Sequence, residues 1–169
     1  MQDGVCFTGH RTVTAQEQRF LAVWLPEQIR TLYARGFRTF YNGAAMGFDI
    51  IAAEAVLALR AECPQIRLHL LLPCRTQSRG WSVDWQKRYA VILAQADQTE
   101  ILEEDRPVSR ETFLRRDRAL VDRSAVCIAF CNRMQSGTGY TVRYARQCGR
   151  EVLLAAGKPT VQNFSHQFQ

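Results

Sequence analysis

Lysine is almost missing from this chain: of its 22 basic residues, 20 are arginine. Positive charge therefore rests on a group that stays protonated and grips phosphate or carboxylate through two parallel N–H donors. The cysteines Cys6, Cys63, Cys74, Cys127, Cys131 and Cys148 form no C-x-x-C pair. His10, His69 and His166 stand at no ligand spacing from them, so no metal centre is expected. Most of the cysteines sit in apolar runs, which predicts buried free thiols in a reducing compartment. No apolar run nears the ~18 residues of a membrane span. Met1-Gln2-Asp3-Gly4 carries neither the basic nor the apolar part of a signal peptide, so a cytoplasmic location is expected. There is no internal repeat and no low-complexity tract.

What is present is an ordinary globular mixture, 47% hydrophobic and 22% charged over 169 residues. That length buries a core without cross-links. One domain is expected over residues 1–155, with a polar tail over 156–169 that has no helical period. Apolar runs predict strands at 5–8, 37–41, 66–72, 98–102, 125–131 and 152–154. Helical spacing predicts helices over 15–35, 49–61, 85–96, 111–123 and 138–148. Thr14 and Glu17 have the spacing of a capping box at the first helix. Pro26 should kink or split that helix. Gly36 is placed to end it. The alternation predicts an α/β fold with a mainly parallel sheet and helices on both faces. Ligands of such sheets bind at the carboxyl ends of the strands.

Three glycine-bearing loops fall at those ends, each between an apolar run and a helix. They are Thr8-Gly9-His10-Arg11, Asn42 to Asp49, and Ser136-Gly137-Thr138-Gly139-Tyr140-Thr141. A strand–glycine–helix junction aims free amides and a helix dipole at one point, which suits phosphate. In the first loop Arg11 is a phosphate clamp and His10 a candidate acid/base group. In the second, Gly43, Ala44 and Gly47 permit close approach of a ligand to backbone. Asp49 there either accepts from a ribose or base, or N-caps the helix. Glu54 is a further candidate carboxylate. In the third, Ser136, Thr138 and Thr141 add hydroxyls to the glycines. The net charge of +6 concentrates at Arg115, Arg116, Arg118 and Arg123, whose plain reading is a solvated basic face, with Arg118 and Asp122 four apart as an ion pair. Trp81 and Trp85 either stack on a base or pack in the core or as a lid.

The motifs Cys6 to Arg11, Gly43 to Asp49, Ala52-Ala53-Glu54, Leu72-Pro73, Arg118 to Asp122 with Ser124, and Ser136-Gly137-Thr138 with Thr141 and Tyr144-Ala145 run in order through the chain. Together they resemble the SLOG superfamily of LOG-type phosphoribohydrolases and DprA/SMF DNA-processing proteins, most closely its YpsA-like branch. The resemblance implies a Rossmann-like doubly wound fold and a nucleotide-derived ligand, with Arg118 and Asp122 facing the cleft that the Gly9-His10-Arg11 loop borders. It also exposes a departure. LOG enzymes carry a Gly-Gly-x-Gly-Thr-x-x-Glu pattern, and alignment on Gly137-Thr138 puts Thr141 where the catalytic glutamate stands. Threonine is no general base near neutral pH. The expected function is therefore a cytoplasmic nucleotide-binding sensor or regulatory protein. An N-glycosidic hydrolase using Glu54, Asp49 or His10 is the first alternative. Single-stranded DNA binding after the manner of DprA is the second. No resident cofactor is expected. A homodimer through the apolar helix near 50–61 stays open.

Overall fold

Six strands and five helices alternate in the computed structural model, which describes residues 3–155. The expected polar tail lies outside those residues. The order is β1 (Gly4–Gly9), α1 (Ala15–Ala34), β2 (Thr39–Asn42), α2 (Phe48–Ala58), β3 (Arg67–Leu72), α3 (Val83–Gln95), β4 (Gln98–Ile101), α4 (Arg110–Asp122), β5 (Ser124–Phe130), α5 (Gly137–Gln147) and β6 (Glu151–Ala155). A short 3-10 turn, Leu59–Ala61, extends α2. The strands lie in the order β4-β3-β2-β1-β5-β6, and every neighbouring pair is parallel.

Period-2 alternation divides the core between the two faces of the sheet. On β1, Val5 and Phe7 join one cluster while Cys6 joins the other. On β5, Val126, Ile128 and Phe130 oppose Cys127 and Ala129 in the same way. The first cluster also takes Leu21, Leu25, Ile29 and Leu32 of α1, the buried side of α2, and Tyr89 and Ile92 of α3. The second takes Leu120 and Val121 of α4 with Val142 and Ala145 of α5. Three helices thus cover one face and two the other, which is the doubly wound Rossmann-like arrangement. The chain steps outward from β1 to β4 and then returns to pair β5 with the free side of β1. That reversal between β1 and β5 is the topological switch point, where such sheets open a crevice.

Several local expectations are corrected. Pro26 does not split α1, which runs unbroken from Ala15 to Ala34. Proline costs the carbonyl four residues back its partner. That residue, Ala22, is on the exposed side of the helix. Strand β2 starts at Thr39, not Phe37, because the Phe37 amide is taken by the Leu32 carbonyl at 3.1 Å and the Gly36 amide by Tyr33 at 3.0 Å. These two bonds close a Schellman cap on Gly36, whose φ is +104°. The capping box at α1 is only half formed. Thr14 accepts from the Glu17 amide at 3.1 Å, but the Glu17 side chain does not bond back. The apolar α2 is used within this chain: Ile50, Ala52, Ala53 and Val56 are all fully buried. Five cysteines are buried and free, and Cys148 is half-buried. Among the described residues no helix is long and apolar enough to cross a membrane.

Candidate functional site

A cleft of about 910 Å³ opens at the switch point. The β1–α1 loop forms one wall with Gly9, His10, Arg11 and the first turn of α1. The β5–α5 junction forms the other with Asn132, Arg133, Gly137 and Thr138, and α4 closes it with Arg110, Phe113 and Asp117. Of the residues singled out in the sequence, Gly9, His10, Arg11, Asp49, Arg116, Gly137 and Thr138 line this cleft. Gly43, Ala44, Gly47, Glu54, Arg118, Asp122, Ser136 and Thr141 do not.

The second glycine loop acts from behind the first. Phe48 donates its amide to the His10 carbonyl at 3.1 Å. A Cβ on Gly9 would enter the Phe48 ring, and one on Gly47 would strike the backbone of Arg11. Gly47 also holds φ +91°. Both glycines are needed because two backbone segments touch there. Within the loop, Asn42 is fully buried, donating to the Asp49 carbonyl at 2.8 Å and accepting from the Ala44 amide at 2.7 Å. The loop thereby fixes the position of Gly9 to Arg11 and delivers Asp49 to the cleft floor.

Asp49 does not N-cap α2. The cap residue is Gly47, with no side-chain bond, and Asp49 sits in the first turn. Its Oδ2 accepts from the Ala45 amide at 3.3 Å. Burial is the main force on this carboxyl and, with Asp117 adding to it, pushes the pKa up to about 7 against the pull of Arg116, the Ala45 amide and Arg11. Arg116 is no part of a solvated face: it is 3% exposed. It donates to the Gly43 carbonyl at 2.7 Å, to Gln77 at 3.3 Å and to Asp117 at 2.7 Å. Burial works against its charge, but Asp117 and Asp49 together raise its pKa. The sequence offered a signal for this. Thr112, Arg116 and Leu120 recur every four residues, and all three lie on the buried stripe of α4.

At α5, Ser136 is the N-cap. Its hydroxyl accepts from the Gly139 amide at 3.0 Å and donates to the Arg133 carbonyl at 2.6 Å. The amides of Gly137 and Thr138 precede the first intrahelical bond and have no partner among the described residues. Thr141 is buried under this turn, 3.1 Å from the Gly137 carbonyl and 3.3 Å from Asp117 Oδ2. It supports the loop from below.

His10 Nε2 accepts the Asn132 amide at 3.1 Å, which ties the β1 loop to the β5 loop across the switch point. Its acceptor nitrogen is thus occupied. Burial, with Arg133 adding to it, lowers its pKa below the ordinary value, so the ring is neutral at neutral pH. Arg11 lies over the Phe113 ring, 4.7 Å from its centroid. Arg11, Arg110 and Arg133 all reach the cleft, and none has a carboxylate partner among the described residues. Glu17, which the sequence presented as a capping residue, also lines the cleft and is 8% exposed.

The remaining candidates have other partners. Glu54 is held by Arg88 in a two-bond pair at 2.7 and 3.0 Å, on the side of α2 that meets α3. Arg118 bonds the Tyr140 hydroxyl, and Asp122 accepts from Tyr144 at 2.7 Å, so the expected Arg118–Asp122 pair does not form. Trp81 packs edge-on against Tyr89 at 5.3 Å, and both Trp81 and Trp85 rest on the core.

Solved structures share this fold. DNA processing protein A from Helicobacter pylori, described for its single-stranded DNA binding mode, matches with a TM-score of 0.66 at 23% identity, over 90% of this chain and 65% of that one. DNA processing protein A from Streptococcus pneumoniae matches with a TM-score of 0.67 at 15% identity, over 94% of this chain and 52% of that one. Among curated proteins, the UPF0398 protein of Bacillus thuringiensis (strain Al Hakam) is 28% identical over 105 residues, covering 62% of this chain. A UPF0398 protein of Bacillus cereus (strain G9842) is 25% identical over 126 residues, covering 74% of this chain and 68% of its own length. The chain spans 57% of the length of the first of these relatives. The family model YpsA, described as the YspA SLOG family, matches residues 6–151. That match takes in the β1 loop, the α2 junction, the cleft floor and α5 together, and the chain belongs to the YspA SLOG family.

Proposed function

We propose that this chain binds a nucleotide or nucleotide derivative in the switch-point cleft, as a cytoplasmic sensor or regulatory protein. One observation carries the reading. Among the described residues, three arginines without carboxylate partners and two unpartnered helix-start amides line a single cleft. Most other arginines of the chain are ion-paired, for example Arg30 with Glu62 and Arg35 with Glu151. Guanidinium groups that line one cleft beside free helix-start amides make a site for an anion, and phosphate fits that demand. The volume is that of a small-molecule site.

Turnover is not favoured. Glu54 is bound to Arg88 outside the cleft, His10 has its acceptor nitrogen engaged, and Thr141 is buried beneath the loop. Asp49, which holds its proton up to about pH 7, is the one group of the three candidates left to act as a general acid. The test is a thermal-shift series with nucleoside mono-, di- and triphosphates, followed by chromatography of the best ligand. A ligand at a hundred times its Kd adds about 2.7 kcal/mol. Stabilisation with the nucleotide recovered intact supports the binding reading. Released base makes the protein a hydrolase. No stabilisation by any nucleotide sinks both. A second reading takes its motive from the single-stranded DNA binding ascribed to the Helicobacter pylori protein, together with the +6 charge here. A DNA strand presents the same phosphates over a longer track.

A further inference from the structure

Glu17 is a carboxylate with no hydrogen-bond or ion-pair partner for Oε2 among the described residues. It stands in the first turn of α1, 92% buried by its 8% exposure, and its Oε2 is enclosed without a hydrogen bond. The turn does not need it: the Thr14 hydroxyl already takes the Glu17 amide. No arginine pairs with it among the described residues. The titratable side chains that share its cleft wall are His10, on which the Glu17 charge acts without a hydrogen bond and which is neutral at neutral pH, and Arg11, which lies over Phe113. Nor do the described residues offer a cation cluster, since no three His, Cys, Asp or Glu side chains gather anywhere. Burying a carboxylate oxygen unsatisfied is costly, so such a group in a ligand cleft is kept for a donor that arrives with the ligand.

We propose that Glu17 is a specificity-determining residue whose carboxylate, with Oε2 enclosed in the free chain, turns on binding to accept paired N–H or O–H donors from the nucleoside part of the ligand. This rests on the nucleotide reading above. Arg133 and the Gly137 and Thr138 amides give the cleft an anion-seeking group on the β5–α5 side, while the β1–α1 side carries Glu17, Thr12 and Thr14 beside the cation of Arg11. A phosphate on the first side leaves the sugar or base to meet the second. Two donor pairs fit a carboxylate: the cis-diol of a ribose, and the N1–H with the amino group of a guanine-type edge.

The test measures affinity of the full chain for AMP, GMP, UMP and IMP and for the 2′,3′-dideoxy forms of the first three. Wild type is compared with Glu17→Gln and Glu17→Met. If Glu17 holds the diol, the dideoxy forms bind wild type tenfold or more weaker, by the scale of a charge-assisted hydrogen bond. If it holds the base, IMP falls behind GMP by that margin instead. In Glu17→Met either difference shrinks to within about twofold, and Glu17→Gln, which keeps one acceptor oxygen, lies between. The apo melting temperature of the variants stays level or rises, because the fold does not use the carboxylate. A Glu17→Met protein that binds every probe with wild-type order and affinity overturns the role of Glu17 and leaves the nucleotide reading intact. A fall in apo melting temperature on both substitutions makes Glu17 structural and overturns it too. Absence of binding in wild type overturns the nucleotide reading and this proposal with it.

Discussion

The Asp49 carboxyl is displaced upward by burial, and that displacement has a consequence for stability. Folding raises its pKa from near 4 to about 7. Below about pH 4 the carboxyl is protonated in both states. Between there and pH 7 the folded chain keeps a proton that the unfolded chain has released. Stability linked to Asp49 is therefore full at low pH and is lost as pH rises through that window, by at most about 4 kcal/mol. An Asp49→Asn protein has no such titration. Its melting temperature relative to wild type should climb between pH 5 and pH 8, while Asn keeps an oxygen for the Ala45 amide. A constant difference across that range would mean that the Asp49 carboxyl ionises in its ordinary range. The same residue-scale economics separates Glu17 from an ordinary helix-start acid. The dipole of α1 favours a carboxylate in its first turn by about 0.3–1 kcal/mol, whereas an unsatisfied buried acceptor costs about 1–3 kcal/mol. The second effect wins, and the carboxylate is a net cost that a ligand relieves.

Among the elements, the glycine junctions divide into those that face the ligand and those that hold another loop in place. Gly36 and Gly47 test the division because both have positive φ, +104° and +91°. A Cβ on Gly36 meets nothing within 4 Å, while one on Gly47 strikes the Arg11 backbone. Gly36→Ala should cost only its backbone conformation, about 1 kcal/mol. Gly47→Ala should cost a further ~1–3 kcal/mol for overpacking and should displace the Arg11 loop, weakening ligand binding as well as stability. Equal melting temperatures for the two variants would show that the α2 junction does not brace the cleft. This bracing was not legible in the chain, where Gly43 to Asp49 looks like a cradle equal to the other two. Strand–helix alternation was legible, because β1 and β5 are buried on both faces and α1 repeats its apolar residues at Leu21, Leu25, Ile29 and Leu32. Within the cleft, Gly9 to Arg11 and Gly137-Thr138 could be read from their place after strands. Arg116 and Glu17 could not be read so directly, because their charges point to solvent in any one-dimensional reading. Only the four-residue spacing with Thr112 and Leu120 betrays Arg116. Glu17 matches a capping box so well that its turn into the cleft has no sequence mark.

At the scale of the whole molecule, the +6 charge and its placement decide between a small ligand and a polymer. Arg11 and Arg133 belong to the cleft, whereas Arg118 and Arg146 are exposed on α4 and α5 away from its lining. A nucleotide engages the first pair, with Arg110, and neither of the second. Its affinity should fall modestly with salt, Arg11→Ala and Arg133→Ala should each weaken it by about tenfold, and Arg118→Ala and Arg146→Ala should leave it unchanged. A single strand of DNA displaces counterions at every phosphate it brings to the surface, so log K falls with log salt at roughly 0.7 per neutralised phosphate. A chain that binds DNA along its basic face would lose slope in all four variants, the distant two included. Titration of a fluorescent oligonucleotide and a fluorescent nucleotide against the same five proteins, at 50 and 200 mM salt, separates the two. Loss of nucleotide affinity confined to Arg11 and Arg133, with a shallow salt slope, fits a site built for one phosphorylated nucleoside. A steep slope that every arginine shares would move the function from the cleft to the surface around it.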